Sequence, residues 1–196
     1  MDKDKEQKLK GLIASMEKAL IAFSGGVDST YLLYIAKEVL SSKNVLAVVA
    51  QSPTYPMEEV EEAIKIADGM GIKCRLIDTE EFQDENFVSN PTDRCYYCKK
   101  ELFAKLKELA DENGIGFVLD GSNVNDLSDF RPGSRAKKDF GIRGPLQEVD
   151  LSKPEIHELS KEAGLPTWDK PSMACLSSRI PYGTRITEEV ILKIGE

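Results

Sequence analysis

Two periods of hydrophobic spacing alternate along this chain. Ala19 to Phe23 is an unbroken apolar run and Val45 to Ala50 is almost wholly apolar, which suits strands buried on both faces of a parallel sheet. Between them, from about Ser29 to Leu40, apolar residues recur at helical spacing. A second helix is predicted over Met57 to Gly71, with Val60, Ile64 and Ala67 on one face. A strand over Lys73 to Asp78 follows, then a helix over Cys98 to Asn113 with Leu102, Leu106 and Leu109 inward, and a fourth strand over Phe117 to Asp120. The alternation predicts an α/β fold, a doubly wound and mainly parallel sheet with flanking helices. Ligands of such sheets sit beyond the carboxyl ends of the strands. Ser24, Gln51, Ser52 and Gly121 to Asn123 are therefore expected to line one pocket.

Past Gly121 the chain is richer in Gly, Pro and charge. One helix start stands out at Ser152-Lys153-Pro154-Glu155, where Ser at the N-cap, Pro in the first turn and Glu three positions on make a capping box. That helix is expected to end near Gly164-Leu165-Pro166. Trp168 to Thr187 shows little periodicity, and Thr187 to Glu196 begins a helix and stops within it. The expected organisation is one domain over residues 1–170 and the start of a C-terminal region over 171–196, incomplete as it stands.

Composition narrows the class. With 196 residues and 41% hydrophobic content, the chain can bury one good core. No stretch approaches the roughly 20 apolar residues that span a bilayer, and Met1 to Lys10 is too charged for a signal peptide. A soluble, cytoplasmic protein without a membrane partner is expected. A formal charge of −8 argues against a nucleic-acid partner held mainly by its phosphates. Four cysteines are too few for a disulfide scaffold, and in a reducing compartment they read as metal ligands, catalytic thiols or core.

The first candidate chemistry is Ser24-Gly25-Gly26-Val27-Asp28-Ser29, which joins the first strand to the first sheet-flanking helix. Two adjacent glycines let backbone approach an anion, and the helix N-terminus adds N–H donors and the positive end of its dipole. The hydroxyls of Ser24 and Ser29 can add donors. The chain has neither G-x-x-x-x-G-K-[ST] nor G-x-G-x-x-G, so a Walker-type kinase or a dinucleotide dehydrogenase is not indicated. The hexapeptide resembles the PP-loop of the ATP pyrophosphatase superfamily, with its adenine nucleotide alpha hydrolase-like fold. There ATP is cut between the α and β phosphates and the substrate is adenylated. That resemblance implies ATP-binding roles for Ser24, Gly25, Gly26, Asp28, Ser29, Gln51 and Gly121, with Asp28 also helping to hold Mg²⁺.

Cys95-Tyr96-Tyr97-Cys98, at a helix entrance and beside Arg94, Lys99 and Lys100, can chelate zinc, bind an iron–sulfur cluster or act as a redox dithiol. Cys175 lies far away in Met173-Ala174-Cys175-Leu176-Ser177-Ser178-Arg179. Cys74, inside a predicted strand, is most simply a small core residue. The stretch Met173 to Thr187, taken with the PP-loop and Asp120-Gly121-Ser122-Asn123, closely resembles the LarE family over essentially the whole chain. These ATP-dependent sulfurtransferases mature the nickel-pincer nucleotide cofactor of lactate racemase. The resemblance implies that both carboxylates of pyridinium-3,5-biscarboxylic acid mononucleotide are adenylated in turn and converted to thiocarboxylates. Members with only the cysteine matching Cys175 sacrifice its sulfur. Members that add a C-x-x-C resemble enzymes holding a [4Fe–4S] cluster with an extra sulfide, and Cys95, Cys98 and Cys175 match this second pattern. Sacrificial use of Cys175 and a structural zinc site remain open, as does a sulfide or persulfide donor that recharges the site. The resemblance also implies a homo-oligomer.

Between Arg131 and Arg143 there is a local excess of four positive charges. Arg131 and Arg143 are candidates for substrate phosphate, which arginine holds with bidentate geometry, and Lys137 and Lys138 read as solvated. Ser178 and Arg179, by resemblance, hold the phosphate of the mononucleotide. Asn123 and Asp126 read as residues that fix the pocket. His157, the only histidine, falls off the buried face of its helix and reads as a surface residue. Rival readings are a PP-loop tRNA thiolase, an ATP-dependent amidotransferase or synthetase domain in which the cysteines are idle, and a nucleotide-binding module with a zinc clip.

Overall fold

The computed structural model describes residues 2–127 and 132–195. Four strands, β1 (Ala19–Ala22), β2 (Val45–Gln51), β3 (Lys73–Asp78) and β4 (Phe117–Leu119), form one sheet in the order β3-β2-β1-β4. Every pairing is parallel, with Ala19 opposite both Val45 and Phe117, and Leu46 opposite Lys73. Because side chains alternate along a strand, the apolar runs feed two cores. Ala19, Ile21, Val45, Ala47, Val49 and Leu119 face one cluster, and Leu20, Leu46, Val48 and Val118 face the other.

The first core is covered by α1 (Asp2–Ala14), α2 (Val27–Leu40), α3 (Met57–Gly69) and α8 (Lys153–Glu162), the second by α5 (Arg94–Glu112) and α6 (Gly133–Asp139). Val60 and Ala67 of α3, and Leu102, Leu106 and Leu109 of α5, are buried as their spacing predicts. The chain therefore runs outward through β2 to β3 and then returns past β1 to form β4 on its other side. Strand order reverses between β1 and β4, the place where open α/β sheets form a ligand crevice.

Several elements differ from expectation. Residues 2–14 form a helix that buries Leu9 and Ile13. Its apolar stripe is narrow and diluted by charge, so periodicity alone does not reveal it. Helix α5 begins four residues before Cys98, with Asp93 at its N-cap, so both thiols of the C-x-x-C pair lie in the helix. The short helices α4 (Glu85–Val88), α6 and α7 (Pro145–Glu148) are too brief to show a period. His157 is half-buried at the surface, and its Nδ1 lies 2.6 Å from the carbonyl oxygen of Trp168, so it also fastens α8 to the following turn. The last segment ends in α9 (Glu188–Gly195) and packs through Leu176, Ile180, Ile186 and Ile191 onto Phe87 and Val88 of α4. Among the described residues no helix is long and apolar enough to cross a membrane.

The capping box at Ser152 is present with both reciprocal bonds, and Lys5 of α1 adds an ion pair to Glu155 at 2.7 Å. Burial opposes ionisation of Glu155, but hydrogen bonds from Lys5 and from Ser152 prevail and pull its carboxyl down to about 2. A depressed carboxylate stabilises the fold above its unfolded pKa, about 4.3, and that stability is lost as pH falls through the folded value. Glu155→Gln is expected to lower stability at neutral pH by about 1–2 kcal/mol after allowance for solvent screening. In denaturant titrations the difference from the parent should disappear between about pH 4 and pH 2. A difference that stays constant with pH would show that packing, not charge, joins α1 to α8.

Candidate functional site

Residues 23–29 run from the end of β1 into α2 as a phosphate cradle. Phe23 N–H still bonds the Val48 carbonyl at 2.8 Å, after which the chain leaves the sheet. Gly25 has φ +70°, and a Cβ there would stand 2.9 Å from the Cβ of Ala63 in α3, so glycine is required for both conformation and space. Gly26 is the N-cap of α2. The hydroxyls of Ser24 and Ser29 are 3.1 Å apart, and Ser29 donates to the Gly26 carbonyl at 3.1 Å. The loop is thereby preshaped, with the first N–H groups of α2 opening on the crevice between β1 and β4. Gly121, just past β4, closes its other wall: a Cβ there would lie 2.9 Å from the Ser29 nitrogen.

Asp28 stands at this mouth with its two oxygens in different situations. Oδ2 accepts a hydrogen bond from Lys153 Nζ at 3.0 Å, whereas Oδ1 is buried without a hydrogen-bond partner among the described residues. A carboxylate oxygen in that state is a fit for a hard cation such as Mg²⁺. Lys153 escaped sequence reasoning because it lies 125 residues away and belongs to the capping-box run, which reads as a structural signal. A second lysine also has to be reassigned. Lys137, expected in solvent, lies largely buried with its Nζ 2.7 Å from Asp120 Oδ1, and Asp120 also accepts from the Ser122 hydroxyl at 2.8 Å. The uncompensated acid at the end of β4 was the available clue, since a buried carboxylate calls for a cation.

Gln51 ends β2 as expected, but its side-chain amide donates to Asp78 at 2.6 Å. Asn123 is buried, and its side-chain oxygen accepts from the Asn125 N–H at 3.0 Å. The guanidinium of Arg143 is held by Glu148 and lies 5.9 Å from the Phe117 ring. That placement directs it toward the amino end of β4 and not into the crevice. Arg179 is exposed and donates to the Ile194 carbonyl at 3.1 Å, while the Ser178 hydroxyl bonds the Cys175 carbonyl at 2.6 Å. Arg131 lies outside the described residues.

The thiols gather beside the crevice. Leu176 N–H bonds the Thr54 carbonyl at 3.0 Å, which fixes Cys175 just beyond the end of β2. Cys98 sits in the first turns of α5, and its ionisation is affected by both Cys175 and Cys95, so the three sulfurs share one neighbourhood. Cys74 lies apart, against the first core. Burial first, and then the carboxylate of Glu81, push the Cys98 thiol up to about 12. The charge of Cys98 in turn raises the Tyr55 phenol, together with burial and Glu81. Glu81, which drew no attention in the sequence, is buried and accepts from the hydroxyls of Ser52 at 2.5 Å and Thr54 at 3.0 Å.

Among the described residues no three His, Cys, Asp or Glu side chains are placed to hold a metal ion. Zinc would need its sulfurs at about 2.3 Å from one centre. Cys95 is exposed and Cys98 partly enclosed, so in the metal-free protein an alkylating reagent at pH 8 is expected to label Cys95 well before Cys98. The Cys98 rate should climb only as pH nears 12. Equal rates for the two, followed by peptide mass spectrometry, would contradict this geometry.

The NAD synthase family model matches residues 5–110. The chain is 37% identical over 190 residues to the pyridinium-3,5-bisthiocarboxylic acid mononucleotide synthase of Lactiplantibacillus plantarum, covering 97% of this chain and 69% of that one. It is 44% identical to an uncharacterized Synechocystis protein, over 100% of this chain and 72% of the other. In structure it resembles the NMN synthetase of Francisella tularensis, with TM-score 0.69, 18% identity, and coverage of 99% of this chain and 91% of that one. The NH3-dependent NAD synthetase of Campylobacter jejuni gives TM-score 0.65, also at 18% identity, over 89% and 79% of the two chains. These structural likenesses establish the fold, a parallel sheet with flanking helices. The sequence likeness is closer, and by it the chain belongs to the LarE family of ATP-using PP-loop enzymes.

Proposed function

We propose that this protein is an ATP-dependent sulfurtransferase that converts the carboxylates of pyridinium-3,5-biscarboxylic acid mononucleotide to thiocarboxylates. The observation that supports the reading is the bond from Leu176 to Thr54, which brings the Cys175 segment to the loop after β2, the strand that pairs with β1, from which the PP-loop leaves. Ser24, Gly25, Gly26 and Ser29 cradle the phosphates with backbone N–H groups and hydroxyls. Asp28 would hold Mg²⁺ through its unpartnered Oδ1, with Lys153 as the neighbouring positive charge. A substrate carboxylate oxygen attacks the α phosphorus, the bond to the β-phosphate oxygen breaks, and pyrophosphate leaves. The cradle and Lys153 stabilise the charge that builds on the departing group.

Cys95, Cys98 and Cys175 would hold a [4Fe–4S] cluster, which supplies an iron site for a transferable sulfide. Sulfur then displaces AMP at the adenylated carbonyl. The chain's own part in this step is to keep the thiols together and partly out of water. Ser178 and Arg179, adjoining Cys175, and Arg131 are assigned to the mononucleotide phosphate, and Arg143 could join them only by leaving Glu148. Residues 171–196 belong to a C-terminal substrate and sulfur-transfer region. The chain is placed in the cytoplasm, with a sulfide or persulfide donor as its partner.

Pyrophosphate release in the presence of ATP, Mg²⁺ and the dicarboxylate mononucleotide tests the first half. Asp28→Asn and Lys153→Met are each expected to slow it by about 10²-fold, with the fold retained. Release at parental rates would remove both from the reaction. The product mixture tests the second half: Cys175→Ala should release pyrophosphate and form the acyl adenylate, which gives AMP only as water returns it to the carboxylate, and should give no thiocarboxylate. Thiocarboxylate from that variant would overturn the assignment. One turnover per chain with loss of sulfur from Cys175, seen in the intact mass, would replace the cluster by sacrificial donation.

A further inference from the structure

The thiols of Cys95 and Cys98 belong to a helix and that of Cys175 to an irregular segment, and backbone hydrogen bonding within either element does not set the distance between them. Two buried polar side chains bridge the gap. Asn90, between α4 and α5, is fully buried at φ +56°. Its side-chain nitrogen donates to the carbonyls of Pro181 and Thr184, each at 2.9 Å, with Ile180 at 3.4 Å as a weaker partner. Its side-chain oxygen accepts from Arg94 at 2.7 Å, and its backbone carbonyl accepts from Gly183 N–H at 2.9 Å. Arg94 is itself buried, and its guanidinium lies 4.8 Å from the ring of the exposed Tyr182.

We infer that Asn90 and Arg94 are positioning residues that set the spacing between Cys175 and the Cys95–Cys98 pair. Every donor and acceptor of the Asn90 amide is matched to this task, for its two hydrogens meet two carbonyls of the turn and its oxygen meets the guanidinium. Arg94 immediately precedes Cys95, and the turn clamped by Asn90 begins at Ile180, one residue after Arg179. A displacement of the turn therefore reaches Cys175 through a short rigid stretch, the 3₁₀ turn Leu176–Arg179. The remaining links between these parts are apolar contacts of Leu176, Ile180 and Ile186 with Phe87 and Val88, the exposed Arg185–Glu85 pair and one backbone bond, Ile186 N–H to the Val88 carbonyl at 2.8 Å, which lies beyond the turn that Asn90 holds. Apolar packing holds the segment on the surface of α4 and α5, and the polar clamp selects its register.

The inference rests on the sulfur-site reading for its meaning, but its test does not need turnover, metal or substrate. The probe is a short bismaleimide applied to the metal-free full chain, with mass-spectrometric measurement of the rate at which Cys175 is joined to Cys95 or Cys98. Asn90→Gly removes the clamp while keeping a residue that accepts a positive φ. It is expected to slow joining by about tenfold, the equivalent of two hydrogen bonds, while circular dichroism and ATP binding at the PP-loop stay parental. Arg94→Lys, which keeps one donor to Asn90 but loses the planar guanidinium, should fall between parent and Asn90→Gly. Joining at the parental rate in both variants would overturn the inference and leave the apolar packing, the Arg185–Glu85 pair and the Ile186–Val88 bond as what sets the spacing. If Asn90→Gly unfolds, Arg94→Lys alone decides between the same two outcomes. Failure of the sulfurtransferase reading would appear instead as absent thiocarboxylate from a parent whose thiols join normally.

Discussion

Gly121 passes so near the start of α2 that one added carbon would sit 2.9 Å from the Ser29 amide nitrogen, and the site is organised around that approach. It exists because the sheet is ordered β3-β2-β1-β4, which brings the ends of β1 and β4 side by side. The PP-loop leaves one of those ends and the Asp120-Gly121-Ser122-Asn123 run leaves the other. A side chain at Gly121 would wedge them apart, and with them the hydroxyl pair of Ser24 and Ser29 that preshapes the cradle. The two apolar cores fix the same geometry from either face of the sheet, since alternate residues of each strand are committed to different helices.

Electrostatics then complete what the backbone begins. The PP-loop carries no lysine of its own, and the protein is acidic overall, so positive charge has to be delivered by the fold. Lys153 arrives from the first turn of α8 to meet Asp28, and Lys137 arrives from α6 to meet Asp120. The two lysines share one logic: each is drawn to a part-buried carboxylate, Asp28 in the first turn of α2 and Asp120 just past β4, where a bare charge would be costly to enclose. On the sulfur side the balance is reversed. Burial, and after it the carboxylate of Glu81 enclosed with Ser52 and Thr54, oppose the thiolate of Cys98. An unloaded Cys98 is accordingly held as a thiol.

The parts legible in the sequence are those governed by short-range periodicity. The apolar runs at Ala19 and Val45, the leucines of α5 and the capping box at Ser152 could be placed because one element's own spacing reveals them. The PP-loop was legible because glycine, serine and acid stand together within six positions. What escaped depends on distance along the chain. Nothing near Lys153 marks it as the partner of Asp28, and Lys137 within a basic stretch looks like any solvated lysine. Asn90 and Glu81 are polar residues in segments that look like loops, and only the packing of α4, α5 and the last segment buries them. Helix α1 was missed for a different reason, because its apolar stripe is thin and its burial comes from α2 and α7. Arg143 shows the limit of local reading from the other side, since its residue type made it a candidate for phosphate while Glu148, five residues on, engages its guanidinium.

The account's central claim is that one edge of this sheet unites an ATP-splitting loop with a reusable sulfur site on three cysteines. Its most direct test is anaerobic purification of the protein with iron, acid-labile sulfide and zinc quantified per chain, beside the same protein with Cys95, Cys98 or Cys175 changed to Ala. The account predicts about four irons with at least as many sulfides, all lost from each variant. A protein that emerges without iron, or with iron that survives removal of Cys175, would contradict it.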